Sequence, residues 1–261
     1  LENAPPLRIW KPSKKPPRLT DIEYHNQWAP IARAMFHKQH EATVHLAREL
    51  GVAAWTLDAL KVGYGQYGRR WCWTIPQRNN KGLVLGIACR YEDGDKAFMT
   101  GGRPGLVYAD DFLDYEGPVF IVEGMSDTAA GLMLGLCVVG RPNNVGGVVH
   151  LRCLLQIVSL SRRIVVLVER DRKRHEDLKE PGKSRHKPKC RSCSQCWPGQ
   201  YGAKTVAAKL REQLGRRVEW WALPDKAKDL RAWYLERTKE MESADTYFEL
   251  GRELYRRKGV L

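Results

Sequence analysis

Apolar positions along this chain fall into two textures. Between Ile31 and Leu50 they sit at helical spacing, with Ile31, Met35, Leu46 and Leu50 among them, and Gly51 ends the run. Val52 to Leu60 predicts a second short helix, with Thr56 as a cap within it. The pattern then shortens to β-type runs at Arg70 to Ile75, Leu83 to Arg90 and Lys96 to Met99. They are separated by the turn-rich Gln77 to Gly82 and by Asp93-Gly94, the punctuation of hairpins, so a small antiparallel sheet is expected. Gly101 to Gly105 breaks the chain, and Glu116-Gly117-Pro118 marks a subdomain boundary.

Beyond Pro118 strand-like and helix-like runs alternate: Val119 to Val122, Ser126 to Leu136, Cys137 to Gly140, Val148 to Leu160 and Arg163 to Val168. After an interruption come Ala203 to Leu214 and Arg217 to Leu223, then helices to the end. Such alternation predicts an α/β fold, α+β overall: a mainly parallel sheet flanked by helices, preceded by a small mixed α+β subdomain. The division expected is a basic Pro-rich lead-in (1–22), a basic N-terminal subdomain (23–115), an α/β domain (116–225) interrupted by a polar insertion at 170–199, and a C-terminal helical segment (226–261). No internal repeat is present. The chain begins with Leu1 rather than Met and so reads as a fragment or processed form.

Charge sharpens the picture. The 261 residues carry 44 Lys and Arg against 30 Asp and Glu, a net +14, which favours a polyanionic partner, nucleic acid first. The 43% apolar content excludes wholesale disorder. Apolar runs such as Ile164 to Val168 are far too short to cross a membrane. The lead-in lacks the apolar stretch of a secretory signal. Seven cysteines, three of them crowded into Cys190 to Cys196, point to a reducing, intracellular compartment and to metal ligation over disulfides.

In open α/β sheets ligands gather at the carboxyl ends of strands, and three predicted strands here end in acids. The first gives Glu123-Gly124-Met125-Ser126-Asp127, the second Glu169-Arg170-Asp171, and the third leads into Lys228-Asp229. Carboxylates brought together from several strands repel one another unless divalent cations sit between them, and oxygen donors suit Mg2+ or Mn2+. That arrangement serves phosphoryl or nucleotidyl transfer.

Glu123-Gly124-x-x-Asp127, Glu169-x-Asp171 and Lys228-Asp229 together resemble the Toprim domain in the form found in bacterial DnaG-type primases. Upstream, Arg70 to Arg90, with Ile75-Pro76, Asn80-Lys81-Gly82 and Gly86 to Arg90, is similar to the N-terminal subdomain of the same catalytic core. The likeness is one of motif order and spans roughly Glu41 to Trp233. It implies primer synthesis from nucleoside triphosphates on a single-stranded DNA template, in the cytoplasm at the nucleoid, beside a replicative helicase. Glu123 would be the central metal ligand or general acid/base, Glu169 and Asp171 would act with it, and Asp229 and Asp127 would complete the metal cluster. Arg70, Arg90, Lys96 and Lys228 would contact template or triphosphate. Three features depart from the family: Glu169 replaces the first aspartate of Asp-x-Asp, Lys228-Asp229-Leu230-Arg231 replaces Lys-Asp-Pro-Asp, and the insertion after Asp171 is normally a few residues long.

That insertion is itself informative, since Arg170 to Arg191 holds ten Lys and Arg against four acids. It leads into His186-x3-Cys190-x2-Cys193-x2-Cys196, a spacing that suits one tetrahedral Zn2+, with His186 or His175 as the fourth ligand. An iron–sulfur cluster is the smaller rival. Cys72, Cys89, Cys137 and Cys153, and Trp71, Trp73, Trp220 and Trp221, read as core. No Walker loop and no Gly-x-Ser-x-Gly elbow occurs. Two alternatives to a polymerase stay open: a weakly catalytic or non-catalytic module that holds single-stranded nucleic acid, and a nuclease sharing the same carboxylates.

Overall fold

A computed structural model describes residues 19–37, 40–170, 194–239 and 245–256. Helix α1 (Asp21–His37) opens on a capping box, in which Thr20 Oγ1 accepts from the Glu23 amide and Glu23 Oε2 accepts from the Thr20 amide at 2.6 Å. It begins ten residues before the expected helix, because Pro30 lies on its exposed side and its apolar face is narrow. That face, Tyr24, Trp28, Ala32 and Met35, covers one side of the first sheet. Helices α2 (His40–Leu50) and α3 (Ala54–Ala59) follow.

The first sheet is an antiparallel meander of β1 (Gly63–Tyr67), β2 (Arg70–Arg78), β3 (Val84–Arg90) and β4 (Lys96–Phe98). Strand β1 was not expected, since Gly-Tyr-Gly-Gln-Tyr has poor strand composition. Gly63 is required there because a Cβ would lie 2.6 Å from the α1 backbone at Met35 and Phe36. Alternation along β2 sends Cys72 to the α1 side and Trp73 and Ile75 to the opposite side, where they join the main core.

The second sheet is wholly parallel, in the order β6-β5-β7-β8: β5 (Val119–Glu123), β6 (Cys137–Arg141), β7 (Ile164–Val168) and β8 (Val218–Ala222). Its central strands β5 and β7 are continuous apolar runs over Val119–Val122 and Ile164–Val168 because both faces are covered there. Phe120, Val122, Val165 and Leu167 pack against α4 (Gly124–Met133) and α7 (Leu230–Thr238). Ile121, Val139 and Val166 pack against α5 (Val148–Leu155) and α6 (Pro198–Leu214). Helix α8 (Asp245–Arg256) closes the far end through Leu250 and Leu254. The core that holds Trp73 and Ile75 is the one that holds Phe120 and Val122, so the two sheets are fastened through shared apolar packing. An α/β fold is thus observed.

Several expectations shift. Helix α6 starts at Pro198, inside the segment expected to be insertion, and α5 ends at Leu155 rather than Leu160. Trp73 and Trp221 are buried as expected, whereas Trp71 and Trp220 are 50% and 41% exposed. Trp71 shares its face of β2 with the buried Trp73, and Trp220 shares its face of the edge strand β8 with the buried Val218, so the apolar cover over each face stops short of these two residues. Among the described residues no helix is long and apolar enough to cross a membrane.

Candidate active site

The order β6-β5-β7-β8 creates a switch point. The chain leaves β5 toward β6 on one side, then crosses over to β7 on the other. Side chains just past the ends of β5 and β7 therefore face a crevice that no crossover helix fills. Glu123 is the last residue of β5 and Glu169 the first after β7. At the β5 end the chain must turn at once into α4. Gly124 has φ +74°, a left-handed conformation that costs a side chain about 1–2 kcal/mol. Gly140 on β6 lets this turn approach, for a Cβ there would lie 2.3 Å from Thr128 Oγ1 and 2.7 Å from the Gly124 carbonyl.

The crevice is a cleft of about 600 Å³. Its acid side carries Glu123, Asp127, Glu169 and Asp229. Asp127 is buried on the first turn of α4, and its Oδ1 accepts from the Arg231 amide at 3.0 Å. Asp229 caps α7, accepting from the Ala232 amide at 2.7 Å, and its other oxygen lies 3.8 Å from Lys228 Nζ. The Arg170 amide donates to the Lys228 carbonyl at 2.6 Å, which ties the end of β7 to the Lys228-Asp229 step. Burial, and then the nearby Asp229 carboxylate, push the Asp127 carboxyl up to about 7, against the opposing pull of the Arg231 amide and charge.

Opposite the acids, the first sheet contributes the cross-strand pair Arg90 and Lys96, with Ala88 and Phe98 beside them. Arg90 also pairs with Glu49 at 2.9 Å. Arg70, the other basic residue singled out on β2, does not line the cleft. Strand alternation turns it to the far side of the sheet, where it meets Asp93 at 2.5 Å and Asp95 at 3.4 Å and lies over the Tyr91 ring. Lys228 does line the cleft.

Arg141 was not anticipated. It ends β6, directly beside Glu123 in the parallel register, and is fully buried with Nη1 3.5 Å from Glu123 Oε2. The strand-end rule that found the glutamates would have found this arginine had it been applied to β6.

The cleft's acid donors are oxygen ligands only, the kind that Mg2+ and Mn2+ take. Asp127 and Asp229 each use one oxygen for a backbone amide. Among the described residues no group of three or more His, Cys, Asp or Glu side chains is drawn tightly enough to hold an ion by itself. Asp171 lies outside the described residues, as do His175, His186, Cys190 and Cys193; Cys196 is described, and is buried just ahead of α6.

No model of a known protein family matches this chain, and no curated protein sequence does. Solved structures do. A DnaG primase catalytic domain bound to single-stranded DNA matches with a TM-score of 0.57 at 12% identity, over 89% of this chain and 79% of that one. The E. coli primase catalytic core matches with a TM-score of 0.55 at 13% identity, over 88% and 80%. A DNA primase domain from Pseudomonas aeruginosa matches with a TM-score of 0.54 at 13% identity, over 90% and 82%. This is the fold of a DnaG-type primase catalytic core. In this primase-type core the antiparallel and parallel sheets face one another across the acid-lined cleft. The motif order read from the sequence had implied that fold at an identity where direct sequence comparison finds nothing.

Proposed function

We propose that this chain is the catalytic core of a DNA primase, joining ribonucleotides on a single-stranded DNA template at a Toprim-type metal–carboxylate site. The observation that carries the proposal is the placement of Glu123 and Glu169 at the ends of the two central strands. They share one cleft with Asp127 and Asp229 and lie opposite Arg90 and Lys96. Glu123 would be the proton acceptor for the attacking 3′-hydroxyl, because it ends the central strand β5 at the switch point and lines the cleft. Asp127 and Asp229, anchored by backbone amides, hold the acid side in shape. Lys228, Arg90 and Lys96 draw the triphosphate and template backbone into the cleft. Mg2+ or Mn2+, held by Glu123, Asp127, Glu169, Asp171 and Asp229, would stabilise the charge that develops on the transferred phosphate.

The basic insertion with Cys190, Cys193, Cys196 and His186 would take a structural Zn2+ and add a basic surface for nucleic acid. The template and nucleoside triphosphates are the partners of this reading, and a replicative helicase supplies the unwound strand. The cations among the acids, Arg141 and Arg231, favour a second reading, a binding module with weak catalysis. Incubating the chain with a single-stranded template, labelled nucleoside triphosphates and Mn2+ separates the readings. Labelled primers that vanish in Glu123→Gln support the polymerase. Retarded template without primers supports the binding module, and template cleavage without nucleotides supports a nuclease. Primers made equally well by Glu123→Gln would overturn the assignment of the site.

A further inference from the structure

Arg141 is the feature of the cleft that primer synthesis leaves unexplained. Among the described residues it is the only fully buried cation lining the cleft. Nη1 donates to the Asn143 carbonyl at 2.7 Å, while Nε and Nη2 are buried without any hydrogen-bond partner. A guanidinium with two unmet donors is expensive to keep inside a protein unless neighbouring charges compensate it. The compensating charges are Glu123, Glu169 and Asp127, all of which draw on Arg141 electrostatically. An arginine stays protonated under such conditions, so its positive charge is a permanent part of the acid cluster.

The balance of the described lining makes the point. Four carboxylates, Glu123, Asp127, Glu169 and Asp229, face five cationic side chains, Arg90, Lys96, Arg141, Lys228 and Arg231. A cluster that binds two divalent ions draws its affinity from an excess of negative charge, and this lining has none. Of the five cations, Arg141 alone is fixed by burial next to Glu123 and cannot swing away when an ion arrives.

We infer that Arg141 is a resident counter-cation standing in for one of the two divalent ions that an all-carboxylate cluster would need, so that the chain holds a single divalent ion. Arg141 is on this view a positioning residue: it lies beside Glu123 as a fixed counter-charge, aligns it, and touches no substrate. The inference rests on the primase reading of the cleft, and the two can fail separately.

The test counts Mn2+, chosen because oxygen sites prefer it and thiolate sites do not. The full chain is titrated in metal-free buffer without nucleotide, with free Mn2+ followed by electron paramagnetic resonance and binding by calorimetry. One ion per chain is expected. Arg141→Gln should admit a second ion or tighten the first at least tenfold, a change of sign opposite to that of ordinary damage, and Arg141→Lys should behave as wild type. Should the glutamine variant fail to fold, the wild-type stoichiometry still decides. Two ions in the wild type, or a glutamine variant that binds neither more ions nor binds more tightly, overturn the inference and leave the primase reading standing. No bound ion together with no labelled primers overturns both.

Discussion

Asp127 offers the most demanding check on the electrostatics of this cleft. Its carboxyl is pushed from 3.8 up to about 7, mainly by burial and then by Asp229. A carboxyl whose pKa rises on folding favours the folded state while it keeps its proton. The stability it contributes is complete below about pH 4 and is lost as pH climbs through about 7. At about 1.4 kcal/mol per pH unit the ceiling is about 4 kcal/mol, a large share of the roughly 5–15 kcal/mol that holds a domain together. Asp127→Asn keeps an oxygen to accept from the Arg231 amide but cannot ionise. Urea unfolding in the presence of a chelator should therefore find variant and wild type nearly equal at about pH 4. The variant should be more stable by as much as about 4 kcal/mol at about pH 8.5. Adding Mn2+ at the higher pH should narrow the gap, because the ion rewards the ionised wild-type carboxylate and not the amide. Unfolding curves that run parallel at every pH would refute the claim that burial of this acid is stored as destabilisation.

Other expectations follow from particular contacts. Gly140→Ala forces a methyl to 2.3 Å from Thr128 Oγ1 and 2.7 Å from the Gly124 carbonyl; it should cost about 1–3 kcal/mol in chemical unfolding and lower primer synthesis by displacing Glu123. Arg162 donates to the carbonyls of Leu113, Tyr115 and Gly117, at 3.2, 2.6 and 2.8 Å, so Arg162→Ala should lower stability by roughly 1–3 kcal/mol with little effect on template affinity. Lys96→Ala should weaken binding of single-stranded DNA and reduce the steepness of its salt dependence by about one ion's worth, measured by fluorescence anisotropy at several salt concentrations. Trp71 is half exposed, stacked with Tyr64 at 5.5 Å, on the same side of β2 as Trp73 and Ile75. Trp71→Ala should weaken single-stranded DNA binding by about 1–3 kcal/mol if a base stacks there, and unchanged affinity would return Trp71 to the role of a surface residue.

Much of this molecule was legible before any coordinates. The alternation after Pro118 announced a parallel sheet because strands covered on both faces must be apolar throughout, and Val119 to Val122 and Ile164 to Val168 are. The acids were legible because strand ends are where an open sheet leaves room for chemistry: Glu123 and Glu169 end or follow such runs, while Asp229 lies seven residues past β8 as the cap of α7. The first ten residues of helix α1 were missed, though Thr20 and Glu23 spell a capping box, because Pro30 and a polar outer face masked its thin apolar stripe. Strand β1 was missed because its glycines are there to let α1 approach, a demand made by a neighbour far along the chain.

What the local pattern determined by itself was therefore the kind of elements, their order, and which of them end in carboxylates, since periodicity and turn chemistry are properties of neighbouring residues. Only the tertiary structure decided which charges meet. Strand alternation carried Arg70 to the wrong side of its sheet and left Arg90 and Lys96 on the cleft. The β6-β5-β7-β8 order brought Arg141, eighteen positions after Glu123, into register beside it. Electrostatic balance depends on distances through space and on burial, and neither can be read from separation along a chain.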